Sequence, residues 1–187
     1  MISLSHLWLP IVVSAIAVFV VSSLLHMVLT YHNSDYRPLS NEDEVRAAIS
    51  KGGATAGQYI IPHAVGMQAM KDPAILKKME EGPNGFIILR APGLPSMGPA
   101  LGQWFVYTLV LSFLCACLSG IANAPGTPHA IIFKFVGISA FLGYVGALTQ
   151  QSIWRSEPWP VTFKHSLDGL VYALVTAGVF ALMWPAA

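Results

Sequence analysis

The chain has 187 residues, 55% of them hydrophobic and 10% charged, with a formal net charge of +1. A soluble domain carries roughly a quarter charged residues, so this composition excludes an ordinary water-soluble protein. The cations are interspersed with acids, which excludes a nucleic-acid-binding face, and no phosphate-cradling glycine motif or nucleophile-elbow serine is present.

A helix needs roughly 20 apolar residues to cross the hydrocarbon of a bilayer. Four segments reach that length: residues 7–30, 101–121, 129–150 and 163–184. The first is preceded by no Lys or Arg, and its apolar core is longer than that of a signal sequence, which predicts a retained transmembrane helix. Residues 31–100 predict a small cap. Ser40 is placed to cap a helix over 41–51, with Glu42, Asp43 and Glu44 in the dipole-favoured first turn and Gly52-Gly53 at its end. Asp72-Pro73 predicts a second helix, running to Glu81 and stopped by Gly82-Pro83. Two short apolar runs, 59–61 and 86–89, are bounded by glycine and proline and read as paired strands. A proline-rich stretch over 91–99 then leads into the second span. The expected fold class is all-α: a membrane protein with four transmembrane helices in a bundle, and a small cytoplasmic α cap with a short β element between helices one and two.

Basic residues orient the spans. Seven of the ten Lys and Arg lie between Tyr31 and Gln103, and Arg155 and Lys164 flank the link between spans three and four. The N-terminus and residues 122–128 hold none, and Lys134 lies where it can snorkel. The expectation is a bacterial cytoplasmic (inner) membrane protein with both termini on the periplasmic side. Close helix association in lipid needs small residues. Ser112, Ala116 and Gly120 form such a seam on helix two, Ser139, Gly143 and Ala147 on helix three, and Gly169, Ala173 and Ala177 (with Ala181) on helix four. Helix one is richer in Val, Ile and Leu and is expected to face lipid or a partner.

Cys115 and Cys117, at i,i+2, point to different helix faces and read as packing thiols. Ionisable groups within a span are functional candidates by default. The topology brings His26, near the inner end of helix one, to the depth of His165 and Asp168 at the start of helix four, with His32 just beyond the span. His165, Asp168, Tyr172 and Thr176 share one stripe. One reading is a haem, quinone or divalent-metal site at His26, His165 and Asp168. The other has these groups meeting headgroups and water at the interface, with no cofactor. His63, in the cap, reads as a surface or packing residue.

His26-Met27-Val28-Leu29-Thr30-Tyr31-His32-Asn33-Ser34-Asp35-Tyr36, Gly82-Pro83-Asn84-Gly85-Phe86 and Asp168-Gly169-Leu170-Val171-Tyr172-Ala173-Leu174 resemble a family of small, uncharacterised bacterial inner-membrane proteins. The resemblance implies a four-helix bacterial membrane protein and no mechanism. It directs attention to His26, His32, Asp35, Tyr36 and Asp168. With no catalytic signature, the first functional expectation is an accessory subunit of a larger respiratory or photosynthetic membrane complex, its partners the bilayer and other membrane subunits. The alternative is a redox or metal-handling protein using the histidines, and the third is a small oligomeric transporter.

Overall fold

A computed structural model describes residues 2–187. In chain order the helices are α1 (Trp8–Met27), α2 (Glu42–Lys51), α3 (Gly66–Ala69), α4 (Pro73–Glu81), α5 (Met97–Ala122), α6 (His129–Val145), α7 (Thr149–Arg155) and α8 (Trp159–Leu182). Strands β1 (Gly57–Ile61) and β2 (Gly85–Leu89) precede α5, and 3₁₀ turns cover Leu4–His6 and Tyr31–Asp35. The chain divides into two compact units: Met1–Asp35 with Ser96–Ser152 and Glu157–Ala187, and Tyr36–Pro95 with Ile153–Ser156.

The first unit contains four helical stretches long and apolar enough to cross a membrane: Trp8–Met27, Met97–Ala122, His129–Arg155 and Trp159–Leu182. The third runs from α6 through α7. These helices share one core, in which Val18 of α1, Leu111 and Cys115 of α5, Val136 of α6 and Phe180 of α8 are all buried. Helix α8 packs along α6 and α1, while α5 packs on α1 and α6. Between α1 and α5 the Ser14 hydroxyl donates to Ser112 Oγ at 3.0 Å, and Trp104 Nε1 donates to Ser22 Oγ at 2.8 Å. Interhelical hydrogen bonds of this kind contribute about 0.6 kcal/mol each in a membrane.

Small residues set the spacing. A Cβ built on Gly169 would lie 2.5 Å from Val145 Cγ2 and 3.4 Å from the Tyr144 carbonyl oxygen, so α8 approaches α6 closer than any larger residue permits. Ser112, Ala116, Gly120, Gly169, Ala173 and Ala177 are buried. The expected helix-three seam is displaced. The inward stripe of α6 is Ile132, Val136, Ala140 and Tyr144; Ser139 is half-buried and Ala147 exposed. Helix α6 ends at Val145, so Ala147 falls in the turn before α7, out of phase with the face that Ser139 and Gly143 begin. Gly143 nonetheless meets Leu111, whose Cδ1 stands 2.2 Å from where its Cβ would be. Helix one exposes Trp8, Ile16, Val20 and Leu24, as expected of a helix facing lipid or a partner, while burying Ser14, Ala15 and Val18; the third span is less buried still.

Chain ends meet at one pole of this unit. Ile2 N–H donates to the Gly120 carbonyl, Gly126 N–H to Pro185, and Trp184 Nε1 to Ala124. The opposite pole, where α1 ends and α8 begins, carries the polar cluster described below.

In the second unit β1 and β2 pair antiparallel, with Tyr59 opposite Ile87 and Gly57 opposite Leu89. Asp72 caps α4 through a 2.8 Å bond from Ala74 N–H to Oδ1, with Pro73 at the first helical position. Helix α2 begins one residue later than its sequence suggests: Asn41, not Ser40, holds the cap position and makes no side-chain capping bond. Gly82 ends α4 at a positive φ of 64°, which favours glycine. Neither helix buries a residue fully. His63 is exposed.

Candidate metal site

Helix α1 ends at Met27, and after Val28, Leu29 and Thr30 the chain enters the 3₁₀ turn Tyr31–Asp35. Lys164, on the second turn of α8, fixes this turn. Its ammonium donates to the Tyr31 carbonyl at 2.8 Å, to Ser34 Oγ at 2.7 Å and to Asp35 Oδ1, which uses all three of its protons. That bond from Lys164 holds the Asp35 carboxyl below the usual carboxylate range, against the opposing effect of burial and with help from His32. Asp35 is therefore a charged acceptor at neutral pH.

Three imidazoles converge at this pole. His26 Nδ1 lies 3.1 Å from the Ser22 carbonyl oxygen. A carbonyl only accepts, so Nδ1 carries the proton and Nε2 is left with the free lone pair. His32 Nδ1 lies 2.6 Å from Asp35 Oδ2, so it too is the protonated nitrogen, and Nε2 faces inward. His32 stacks between the other two rings, 4.7 Å from His26 and 5.1 Å from His165, with interplanar angles of 21° and 22°.

Asp168 stands beneath them on α8, 4% exposed. Its Oδ1 accepts from the Tyr31 hydroxyl, and its Oδ2 lies 2.8 Å from His32 Nε2 and 3.9 Å from His26 Nε2. Burial and then the bond to Asp168 raise the Tyr31 phenol well above its ordinary range, so it remains a donor. The Asp168–His32 pair constrains the chemistry. With Nδ1 protonated, His32 Nε2 offers a lone pair, and so does Oδ2. Two lone pairs 2.8 Å apart require a cation between or beside them, either a proton or a metal ion.

Ligand atoms of His26, His32, His165 and Asp168 all lie within 4.8 Å of one another. Ligands about 2.0–2.1 Å from a tetrahedral zinc stand roughly 3.4 Å apart, so closing this set on one ion requires the stacked rings of His26, His32 and His165 to rotate out of their parallel arrangement. The outer shell takes the form that such sites require: each of two histidines donates its far N–H to a carbonyl or a carboxylate, and the ligating carboxylate accepts from a phenol. A bis-histidine haem fits poorly, because axial imidazoles lie on opposite faces of the porphyrin while these rings stack on one side of a point.

A cavity of about 580 Å³ is lined by His26, His165 and Asp168 of the cluster together with Trp104, Tyr107, Tyr144 and Tyr172. Its lining is mostly apolar.

His26, His165 and Asp168, the three residues singled out by depth in the sequence, come together here. Thr176 lies deeper, bonded to the Tyr172 carbonyl at 2.9 Å. His32 and Asp35 join them, while Tyr36 is exposed and lies outside the site. Sequence reasoning missed Lys164 as the organiser and Tyr31 as the carboxylate's donor. The available signal was His32 and Asp35 at i,i+3 in a short polar turn that abuts the first basic residue of the last span. The chain matches no protein-family model, no curated protein and no solved structure, so the chemistry of this pole rests on its own geometry.

Proposed function

We propose that this chain is a multi-pass metalloprotein of the bacterial cytoplasmic membrane that binds a divalent first-row transition ion through His26, His32, His165 and Asp168. The observation that carries the reading is the convergence of His26, His32 and His165 on one buried carboxylate, Asp168, with His26 Nδ1 already committed to a carbonyl and His32 Nδ1 to Asp35. A proton alone satisfies the His32–Asp168 pair, but it leaves His26 Nε2 and His165 converging on that carboxylate without a purpose.

Three imidazoles and one carboxylate suit zinc, ferrous iron, cobalt, nickel or copper, and disfavour magnesium and calcium, which take oxygen shells. The basic residues between Tyr31 and Gln103 support a cytoplasmic location for this pole, with both termini periplasmic. The site then lies at the inner membrane boundary, where cytosolic ions reach it. A transport path is disfavoured because the buried face of α8 beyond Asp168 carries Tyr172, Thr176 and Phe180 and no further charged group. An accessory-subunit role is supported only by outward apolar faces that lipid covers equally well.

The test is equilibrium dialysis of detergent-purified protein, stripped by chelator, against zinc, cobalt and magnesium. The expected result is one equivalent of zinc or cobalt in the presence of excess magnesium. Absence of stoichiometric binding, or binding equal to that of magnesium, sinks the proposal.

A further inference from the structure

The second unit has no core of its own. None of its residues, Tyr36–Pro95 and Ile153–Ser156, is fully buried, and a domain this small needs a good core or a staple to stand alone in water. Its sheet is a single pair of strands, which is marginal by itself. Strand alternation sorts the side chains of that sheet. The pairs Gln58–Ile88 and Ile60–Phe86 point to one face, and Tyr59–Ile87 and Gly57–Leu89 to the other. Ile87 and Leu89 are half-buried, whereas Ile60, Phe86 and Ile88 are exposed, Ile88 at 65%.

We infer that the face bearing Ile60, Phe86 and Ile88 docks on the anionic phospholipid headgroups of the membrane that holds the chain. Cations edge this face. Arg90 continues the alternation of β2 beyond Ile88, and Arg155 Nη2 donates to Gln58 Oε1 at 3.0 Å. No acid lies within 57–61, 85–90 or 153–156; Glu42, Asp43, Glu44, Asp72, Glu80 and Glu81 sit on α2 and α4 or at their caps. Arg155 is also the last residue of the third apolar stretch, His129–Arg155, so the guanidinium that bonds Gln58 stands where that stretch meets the headgroups. Trp154 beside it is 76% exposed, and tryptophan at the end of a span sits at headgroup depth. The chain leaves the unit at Pro95, two residues before α5 begins at Met97, a step that extended chain covers in about 7 Å. The face therefore offers an apolar strip to the acyl boundary and guanidinium groups to phosphates, as interfacial elements do. A second copy packed face to face would set arginines against arginines. The inference rests on the membrane reading of the four helices and owes nothing to the metal.

The experiment uses the full chain, one copy per nanodisc, in phosphatidylcholine with and without phosphatidylglycerol. Hydrogen exchange on the wild type reads the strands, and an environment-sensitive fluorophore on Ile88→Cys, in a Cys115→Ala and Cys117→Ala background, reads the face. With phosphatidylglycerol present, exchange over 57–61 and 85–89 should slow, and the label should shift to the blue and be quenched by a bromolipid. The same label on Asp43→Cys, in α2, should stay in water. Arg90→Gln and Arg155→Gln should each lower the docked-to-free ratio about fivefold, and molar salt should lower it in the wild type. A water-exposed label at Ile88 in both lipids, equal exchange in both, or protection only in discs that hold two chains overturns the inference. Failure of the chain to insert into discs overturns the membrane reading and this inference together; insertion with Ile88 in water overturns this inference alone.

Discussion

Replacing Asp168 by asparagine removes one charge and keeps the shape of the side chain. In the wild type Asp168 Oδ1 accepts from Tyr31 and Oδ2 faces His32 Nε2 at 2.8 Å. In the variant the amide oxygen still accepts from Tyr31. The amide N–H₂ can donate to the same Nε2 once His32 gives up the Nε2 proton that the metal-free wild-type pair holds, Nδ1–H staying committed to Asp35. Every bond of the metal-free network therefore survives, and the melting temperature should change little. A metal loses its only anionic ligand, and the retained N–H₂ points a proton where the ion would sit. Disturbing a group that merely orients a ligand costs 10- to 100-fold in affinity; losing the ligand itself should cost at least about 100-fold, or roughly 2.7 kcal/mol. Competition with a chromophoric zinc chelator measures this directly. Asp168→Ala behaves differently, since it strands the Tyr31 hydroxyl and removes the partner of a buried pair, which costs about 3–5 kcal/mol. If Asp168→Asn binds zinc as the wild type does, or if it unfolds as the alanine variant does, the tautomer argument is wrong.

Other outcomes follow from the same contacts. Lys164→Met removes three bonds from the turn Tyr31–Asp35 and should lower zinc affinity about 10- to 100-fold through His32, as measured by the same competition. Gly169→Ala drives a methyl to within 2.5 Å of Val145 and should destabilise the protein by about 1–3 kcal/mol in a thermal or denaturant assay in detergent. A double-mutant cycle of Ser14→Ala and Ser112→Ala should return a coupling near 0.6 kcal/mol, with zinc binding unchanged. His63→Ala, in the other unit and exposed, should leave both zinc affinity and stability as they are.

Length and hydropathy made the four apolar helices legible, because a span of some 20 residues leaves a signal that survives any packing detail. Asp72-Pro73 and the two apolar runs in residues 57–89 were legible for a local reason: caps and strand pairs depend on neighbours in sequence. The small-residue seam of α6 was harder. Spacing four identifies Ser139, Gly143 and Ala147 equally with any other face, and only the end of α6 at Val145 removes Ala147 from it. Depth alone brought His26, His165 and Asp168 to one level, since opposite ends of antiparallel spans must coincide. The turn that carries His32 and Asp35 could not be placed the same way. Its position depends on Lys164 spending three protons on it, a contact across about 130 residues that no periodicity encodes.

The central claim is most directly tested by X-ray absorption at the zinc edge on the zinc-loaded protein in detergent. The predicted first shell holds three nitrogens and one oxygen at about 2.0–2.1 Å, with the outer-shell scattering of imidazole rings, and it loses one ring's scattering in His32→Ala. A shell of oxygens alone, a sulfur contribution, or a spectrum unchanged by His32→Ala would contradict the assignment.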